Sequence, residues 1–443
     1  MSAILILGSG KSAWFCINYL HENIVSLGIT ITVADASNDN LKAVKSDFPN
    51  IHTIVLNATD QEALAENILG KVLVISLLPA IMHYSVAKIC LHIGVNLLTP
   101  SYLNDDLKSL NEEVFDKNLC FLNEMGLDPG IDHISALSLI DHLNENGHSI
   151  YSFESYCGGL IPKDLKPNPF RYKLSWNPYN VVRAGKDGAV CRIDKHTRFY
   201  PYHKLFGSGE FLDIGGEHFE VYNNRNSLPY LDLYHLPNVS TFVRGTLRYP
   251  PFCEAWHCLV SSGLTNDYQK IRVKQNSTWA DFTSELLGVA KENLVDTLMQ
   301  NSPRKSKEGR AALQFLVESV VFLDFDLASP AEALQFMLET EWKLNDDESD
   351  RIILIHKIKY TDKAGLKYLL TSVLDLTGED YHKTAMAKTV GLPLALAAEM
   401  MILNLITEKG VIMPNHKSIY KPILERLNAM GINFTDTVST ILV

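Results

Sequence analysis

The amino-acid sequence predicts an α/β fold: an N-terminal parallel sheet domain, then a second α+β domain with a mixed or antiparallel sheet and a small helical insertion. Up to about residue 125, short apolar runs alternate with helical segments. The first apolar run is followed directly by the glycine turn Gly8-Ser9-Gly10. From about residue 126, glycine, proline and aromatic residues become more frequent. This change in pattern indicates a second domain with a different kind of sheet.

Six strands are predicted in the first domain. They are residues 3–7, 29–33, 51–56, 71–78, 95–99 and 120–123. The spacing of Trp14, Ile17 and Leu20 predicts the first helix. Further helices are predicted at 60–69, 83–93 and 103–115. Right-handed crossovers between such strands give a parallel sheet, and ligands bind where its strands end.

The second half of the chain is predicted to combine short antiparallel strands with a helical region. The strands are 151–157, 219–222, 239–243, 351–360 and 367–376. Residues 256–343 are rich in helical pattern, and the charged loop 301–307 within them is predicted to be a solvated tip. Two more helices are predicted at 384–406 and 418–430.

Composition and charge limit the classes of partner. The 443-residue chain has a formal net charge of −11, which argues against nucleic acid and anionic membranes. No apolar run approaches the ~18 residues of a membrane span, and we expect no signal peptide. The seven cysteines are scattered without a CxxC pair. The pattern predicts a reduced, cytoplasmic protein without a metal site or disulfide framework.

The first 35 residues have the order strand, glycine turn, helix, strand and acid that is typical of a Rossmann dinucleotide-binding unit. Gly8 permits the tight turn, Gly10 permits the backbone to approach a pyrophosphate, and Ala13 permits close helix–strand packing. Asp35 follows Ala13 by 22 residues, where its carboxylate can accept hydrogen bonds from the adenosine ribose. The alternative is a glycine turn without a ligand.

Asp35 favours NAD over NADP, because a carboxylate repels the roughly two negative charges of a 2′-phosphate. Residues 36–40 contain no arginine or lysine to compensate, and NADP stays the second option. The predicted cofactor-binding residues are Gly8, Ser9, Gly10, Lys11, Ser12, Ala13, Asp35, Ala58, Thr59, Ser76, Leu77, Leu78, Pro79, Leu127, Asp128 and Pro129.

A second motif, residues 123–133, places acids and a histidine around a Pro-Gly turn directly after a strand. Because Asp128 falls where a parallel strand ends, beside the expected nicotinamide position, we predict a functional role for it. Asp132 is equally well explained as the cap of a helix that begins near His133.

A third motif combines residues 156–160 with 168–178, where Arg171 and Lys173 bring positive charge to an aromatic cluster. The alternative interpretation of this motif is a glycine turn beside an aromatic core, in which Cys157 is a buried residue without a catalytic role. The fourth motif is the set Arg225, Arg244 and Arg248. Guanidinium groups bind carboxylates in a bidentate manner, so these arginines suggest a polyanionic substrate, with surface ion pairs as the alternative.

Together these motifs resemble the family of saccharopine reductase, the glutamate-forming saccharopine dehydrogenase. The matching segments are 8–10, 75–79, 99–102, 126–133, 155–160, 168–169, 172–173, 175–176, 244–249 and 385–393. The segments 126–133 and 155–160 are the most specific, whereas many dehydrogenases share the glycine turn. The resemblance extends over nearly the whole chain. The segment 161–164, Ile-Pro-Lys-Asp, departs from the family's usual Pro-Ala-Pro-Glu.

The resemblance implies an enzyme that interconverts saccharopine with 2-aminoadipate 6-semialdehyde plus glutamate, using a nicotinamide cofactor. It also implies a homodimer of three-domain chains. The domains would be 1–125 with 386–443, which bind the dinucleotide; 126–255 with 344–385, for substrate binding and dimerisation; and an inserted helical domain, 256–343. Fungal members use NADP and carry Arg-Thr near position 35, whereas this chain has Asp35, as in the NAD-using animal forms.

Family residues that contact substrate correspond to Ser101, Tyr102, Asp128, Arg225, Thr246 and Arg248, and we add Trp176 to this set. The groups predicted to act in catalysis are Asp128, Tyr102 and Cys157, with no single acid or base assigned. Two other functions are compatible with parts of this pattern. A carboxynorspermidine dehydrogenase-like enzyme would need acidic residues in place of the arginines, and a non-catalytic NAD-binding protein would not need Asp128 or Tyr102.

Overall fold

The computed structural model describes residues 3–24 and 28–441, which form two compact units. The first unit comprises the residues up to Asn146 together with His382–Phe434, and the second comprises Gly147–Tyr381 and the residues from Thr435 onward. The division into three domains predicted from the sequence stays a prediction.

The elements up to residue 146 alternate between strand and helix. They are β1 (Ala3–Leu7), α1 (Trp14–Ile24), β2 (Thr30–Asp35), α2 (Asn38–Asp47), β3 (His52–Val55), α3 (Gln61–Ile68), β4 (Leu73–Ser76), α4 (His83–Ile93), β5 (Asn96–Leu98), α5 (Asp105–Lys108), α6 (Asn111–Asp116), β6 (Cys120–Leu122) and α7 (Ile131–Glu145). The predicted helix 103–115 is thus divided into two short helices, α5 and α6.

The second unit contains long strands and a helical region. Its elements are β7 (Ser149–Leu160), α8 (Pro178–Val182), β8 (Ala189–Ile193), β9 (His196–Tyr200), α9 (Tyr202–Leu205), β10 (Glu210–Ile214), β11 (Glu217–Asn223), α10 (Pro229–Leu233), β12 (Thr241–Arg248), α11 (Phe252–Ser261), β13 (Ile271–Arg272), α12 (Trp279–Leu287), α13 (Leu294–Met299), α14 (Lys307–Glu318), β14 (Leu327–Ala328), α15 (Pro330–Glu341), β15 (Arg351–Thr361) and β16 (Lys367–Thr377). The remaining elements are α16 (Ala385–Ile402), β17 (Gly410–Ile412), α17 (Lys417–Ala429) and β18 (Phe434–Thr440).

The first unit is built on a parallel sheet with the order β17-β6-β5-β4-β1-β2-β3, as the sequence predicted for its first six strands. The central strand β1 pairs with both β2 and β4. Residues Ile4 to Leu7 of β1 are at most 1% exposed, so each stabilises the sheet by roughly 1.5–3 kcal/mol. The α/β class of the chain is confirmed.

The chain returns to the first unit after residue 381. Strand β17 extends the parallel sheet beside β6, and helix α16 packs against α1. A Cβ atom at Gly391 would lie 2.8 Å from the Cys16 backbone nitrogen, so a glycine is needed for this close approach. By length and composition α16 could span a membrane, which the sequence analysis did not anticipate, but 72% of the helix is buried inside the structure.

The second unit has a mixed sheet whose main path is β10-β11-β12-β7-β15-β16-β18. The expectation that its strands are short and antiparallel is wrong for the central pair. β7 has 12 residues and pairs parallel with β12, whereas β11 and β15 run antiparallel to these strands. Gly158 in β7 permits the close contact with β12, because a Cβ atom at Gly158 would lie 2.8 Å from Leu247 Cβ.

The prediction that loop 301–307 is a solvated tip holds for most of its residues, which are exposed, but not for Ser302 and Ser306. Ser302 is buried, and its hydroxyl and that of Ser306 both donate hydrogen bonds to the buried carboxylate of Glu254. Arg304 forms an ion pair with the buried Glu220. Two buried acids therefore hold this loop against the unit, because a buried carboxylate needs donors to balance its desolvation.

Candidate functional site

The predicted nucleotide-binding residues lie at one edge of the parallel sheet. The glycine turn follows β1, Asp35 ends β2, and Ala58 and Thr59 follow β3. Ser76 ends β4, and Leu77, Leu78 and Pro79 follow it. The strand order reverses between β1 and β4, and in open parallel sheets this switch point is where ligands bind.

The glycine turn has the geometry that a dinucleotide requires. Gly8 has a φ of +93°, and a Cβ atom there would lie 3.1 Å from the Leu77 carbonyl oxygen, so other residues would strain the turn. A Cβ atom at Gly10 would meet nothing within 4 Å, which leaves the backbone open to a phosphate group. Of the neighbouring residues in the turn, Ala13 is buried, Ser12 is half-buried and Lys11 is exposed.

Asp35 is held against this turn by hydrogen bonds. Its Oδ2 accepts from the Ser9 backbone N–H at 2.7 Å and from the Ser9 hydroxyl at 2.9 Å, and its Oδ1 accepts from the Ser37 N–H at 2.7 Å. Partial burial alone would raise the pKa of Asp35, but the hydrogen bonds from Ser37 and Ser9 outweigh it and lower the pKa. The carboxylate is therefore negative at neutral pH and has a fixed position.

Tyr102 and Asp128, two of the three predicted catalytic residues, contact each other at the same sheet edge. The Tyr102 hydroxyl donates a hydrogen bond of 2.5 Å to Asp128 Oδ1. Tyr102 follows β5 and Asp128 follows β6, and both side chains are half-buried. Leu127 and Pro129, on either side of Asp128, are buried. A carboxylate hydrogen-bonded to a phenol can accept or release a proton at this position.

The loop that carries Asp128 is fixed by its own backbone. Gly126 donates a backbone hydrogen bond of 2.9 Å to the Pro129 carbonyl. Gly130 has a φ of +144°, and a Cβ atom there would lie only 2.1 Å from the Gly126 carbonyl oxygen. Only glycine is compatible with this loop conformation at position 130.

A buried acid–histidine pair beneath this loop was not recognised from the sequence. Glu124 and His133 are at most 1% exposed, and Glu124 Oε2 lies 2.7 Å from His133 Nε2. The other carboxylate oxygen of Glu124 accepts from the Leu103 N–H at 2.8 Å, directly after Tyr102. Asp132 accepts from the Gly130 N–H at 2.6 Å instead of forming the predicted side-chain cap of α7. The sequence signal was the presence of three acids and a histidine within the ten residues 124–133.

A second missed residue is His83, at the start of α4. It is 1% exposed, and its ring contacts hydroxyls at the ends of β4 and β5. Nδ1 lies 3.0 Å from Ser76 Oγ, and Nε2 lies 2.8 Å from Ser101 Oγ and 3.0 Å from Thr99 Oγ1. Ser76 and Ser101 were predicted site residues, but no sequence pattern connected them to this histidine.

In the second unit, the structure brings Cys157, Thr246 and Arg248 together. Thr246 lies opposite Cys157 in the register of β12 and β7, and Arg248 lies two residues further along the same face of β12. The Arg248 guanidinium stacks on Tyr172 and Phe252, with its carbon 5.1 Å and 5.2 Å from the ring centres.

Arg248 is buried, with 4% of its surface exposed, and one of its guanidinium nitrogens donates to the Leu247 carbonyl at 2.8 Å. Its Nε atom is buried without a hydrogen-bond partner. Within residues 3–24 and 28–441, no carboxylate forms an ion pair with this guanidinium. Since a buried charge is costly without a counter-ion, the group is suited to bind an anionic ligand.

The other predicted substrate-binding residues of the second unit are placed differently. Trp176 donates from Nε1 to the Tyr172 hydroxyl at 2.8 Å and so adjoins the aromatic residues on which Arg248 stacks. Arg225 lies beyond the end of β11, exposed and with a φ of +52°. Lys173, which was predicted to bring positive charge to the aromatic cluster, forms a largely buried ion pair with Glu348, so its charge is already compensated.

The parallel sheet with its glycine turn and fixed acid defines a dinucleotide-binding protein of the Rossmann class. Two family profiles match the chain: the saccharopine dehydrogenase NADP binding domain over residues 4–122 and the saccharopine dehydrogenase C-terminal domain over residues 126–432. The chain belongs to the saccharopine dehydrogenase family. The nucleotide that this family profile and the fold imply is a nicotinamide dinucleotide.

Several relatives share this similarity. A saccharopine dehydrogenase (NADP+, L-glutamate-forming) of Saccharomyces cerevisiae is 31% identical, with 96% of each chain covered. The apo structure of a yeast saccharopine dehydrogenase (L-Glu forming) matches with a TM-score of 0.86 at 30% identity, covering 99% of this chain and 100% of that one. The mitochondrial alpha-aminoadipic semialdehyde synthase of Bos taurus is 34% identical over 99% of this chain, but this chain spans only 48% of that synthase.

Proposed function

We propose that this chain interconverts saccharopine with 2-aminoadipate 6-semialdehyde and glutamate, with a nicotinamide dinucleotide as the redox partner. The observation that carries the proposal is the buried Arg248 guanidinium, which has no carboxylate partner in the described part of the chain. Saccharopine has three carboxylates, and the guanidinium group offers parallel N–H donors for one of them. Membership of the family and the yeast relatives support the same reaction.

The reaction also needs a group that holds a proton near the reacting C–N bond. In the oxidative direction the carbon of the C–N bond gives up a hydride and the nitrogen gives up a proton, which leaves an imine. Water then adds to the imine carbon, and the C–N bond breaks to release glutamate and the semialdehyde. The Asp128 carboxylate can accept the proton from the nitrogen, and Tyr102 donates a hydrogen bond to its Oδ1. Cys157, next to Thr246, is proposed as a further group at the substrate.

The residues at the sheet edge fit the cofactor. Gly8 and Gly10 would hold the pyrophosphate, and Asp35 would bind the adenosine ribose. When bound, the nicotinamide ring supplies or accepts the hydride.

We also propose that NAD is preferred over NADP. The negative Asp35 carboxylate would repel a 2′-phosphate, and residues 36–40 supply no positive charge. The fungal relatives are named as NADP-dependent, so the preference of this chain would differ from theirs.

The alternatives differ in substrate chemistry. A carboxynorspermidine-type substrate carries an amine tail that a buried guanidinium would repel, so Arg248 disfavours it. A non-catalytic NAD-binding protein would bind nucleotide without turnover. Oxidation of NADH with aminoadipate semialdehyde plus glutamate separates these alternatives, because only the proposed enzyme shows turnover.

The role of Arg248 is tested by Arg248→Gln. Loss of a charged, bidentate hydrogen bond is expected to raise KM for saccharopine by about 10- to 100-fold, with a smaller change in kcat. Arg272→Gln, which removes an exposed guanidinium of the same unit, is the matched control and should leave KM unchanged. An unchanged KM for Arg248→Gln would exclude the proposed carboxylate contact.

A homodimer and a cytoplasmic location are proposed on the sequence resemblance and cysteine pattern. Light scattering after size exclusion would measure the molar mass, and a monomer of 49.7 kDa would contradict the dimer.

A further inference from the structure

His83 is a buried histidine that the proposed mechanism does not use. This side chain is 1% exposed and lies between two strand ends at the ligand edge of the parallel sheet. Its two ring nitrogens face different strands. Nδ1 contacts Ser76 at the end of β4, and Nε2 contacts Ser101 and Thr99 after β5.

The hydroxyl groups around the ring form a connected set. Thr99 is fully buried, and its Oγ1 also accepts a hydrogen bond of 3.3 Å from the Ser101 backbone N–H. Ser76 is fully buried, whereas Ser101 is half-buried and lies directly before Tyr102. The imidazole therefore connects the strand end before Leu77–Pro79 with the loop after β5 that carries Tyr102, the partner of Asp128.

The ring is neutral, so its role is to orient and not to exchange protons. Burial lowers the pKa of His83 to about 4. In a neutral imidazole one nitrogen donates and the other accepts, so the two sides of the ring have opposite hydrogen-bonding roles. Whichever tautomer is present, the hydroxyl on the accepting side must point its proton at the ring.

We propose that His83 is a positioning residue with two roles. Its Nε2 fixes the Ser101 hydroxyl for substrate binding, and its Nδ1 fixes Ser76, at the end of β4, for nucleotide binding. The inference rests on the proposed function for its substrate half, because Ser101 is a predicted substrate contact. The proposed role in nucleotide binding does not depend on the substrate. It rests on the position of Ser76, which precedes the loop at the point where the strand order of the sheet reverses.

Two substitutions separate the two nitrogens. His83→Asn keeps a polar atom at the position of Nδ1 and removes the contact with Ser101, and His83→Gln keeps one at the position of Nε2 and removes the contact with Ser76. His83→Asn is expected to raise KM for saccharopine about tenfold, with the nucleotide Kd within about twofold of the wild type. His83→Gln is expected to weaken NADH binding by about five- to tenfold, with KM for saccharopine changed by less than about threefold.

The matched control is His92→Asn, which changes an exposed histidine near the end of the same helix. It should leave both constants unchanged. A double variant, His83→Asn with Ser101→Ala, should raise KM no more than the larger single effect, because both changes remove the same oriented hydroxyl.

The outcomes distinguish this inference from the proposed function. If both His83 variants shift KM and Kd by the same factor, or neither constant moves, His83 has only a structural role and the inference is overturned. If the wild-type chain binds NADH without turning over aminoadipate semialdehyde and glutamate, the proposed function fails. In that case the NADH affinities of the two variants still test whether the Nδ1–Ser76 contact positions the end of β4 for nucleotide binding. Equal affinities overturn this role, and weaker NADH binding by His83→Gln alone supports it.

Discussion

Replacing Asp35 by serine is expected to reverse the cofactor preference of this chain. Both oxygens of the Asp35 carboxylate are fixed, Oδ2 by Ser9 and Oδ1 by Ser37, and the lowered pKa keeps the group ionised throughout the usual assay range. A 2′-phosphate on NADPH would therefore lie near a full negative charge whose position is fixed by hydrogen bonds.

The size of the effect follows from Coulomb's law. At ~6 Å and an effective dielectric constant of ~20–80, each phosphate charge is repelled by roughly 0.7–3 kcal/mol. Since Asp35 is only half-buried, we take about 2–3 kcal/mol in total, which corresponds to roughly 30- to 150-fold in kcat/KM. The serine also removes the ribose contact, so kcat/KM for NADH is expected to fall about tenfold or more.

The assay compares kcat/KM for NADH and NADPH at fixed concentrations of aminoadipate semialdehyde and glutamate. Asp39→Ser, which removes an exposed carboxylate paired with Lys42 in the following helix, is the charge-matched control and should keep the wild-type ratio. A wild-type chain that prefers NADPH, or an Asp35→Ser variant with an unchanged ratio, would refute the reasoning. Salt should reduce the discrimination, because this site is partly open to solvent.

Two other variants and one pH series test the remaining contacts. Tyr102→Phe removes the hydroxyl bonded to Asp128 and should lower kcat about 10- to 100-fold with little change in nucleotide Kd; an unchanged kcat would remove this pair from the mechanism. Lys173→Met leaves the largely buried carboxylate of Glu348 without its counter-ion, although it still accepts a hydrogen bond from the Asn345 N–H, so it should destabilise the fold by about 3 kcal/mol, measured by urea unfolding. Lys173→Met with Glu348→Leu should recover most of this loss, and equal stability of the single variant and the wild type would contradict the ion pair. The pKa of Asp35 is lowered in the folded state, so its contribution to stability is present above its ordinary pKa of 3.8 and is lost as the pH falls below that value. The difference in the free energy of unfolding by urea between wild type and Asp35→Ser should therefore shrink in acid. A difference that stays constant with pH would contradict this reasoning.

The local patterns that the sequence displays were sufficient for the nucleotide-binding turn and the first strands of the first unit. Strand β1, the turn at Gly8, helix α1 and the acid at the end of β2 all lie within the first 35 residues, as predicted. Such elements are short-range, so hydrophobic period and turn chemistry specify them without knowledge of distant residues. The closeness of Tyr102 and Asp128 could also be expected, because both follow neighbouring strands of a parallel sheet.

Pairings between distant segments could not be predicted in this way. The parallel register of β7 with β12 joins residues that are about 90 positions apart, and its sequence signal is the same as that of an antiparallel strand. Arg248 and Lys173 could not be distinguished from the sequence as binding residues, but Lys173 forms an ion pair with Glu348, which lies 175 positions away.

The sequence by itself therefore determined the class of fold, the nucleotide-binding turn and the acid at the end of β2, because these depend on neighbours along the chain. Only the tertiary structure decided which charges are compensated and which are left for a ligand. Compensation depends on which side chains share a buried space: the structure placed His83 among three hydroxyls and Glu124 against His133, and it left the Arg248 guanidinium without a carboxylate in the described part of the chain. Removing any of these partners would cost free energy of folding, since a polar group that is buried away from water needs a hydrogen-bond partner within the fold.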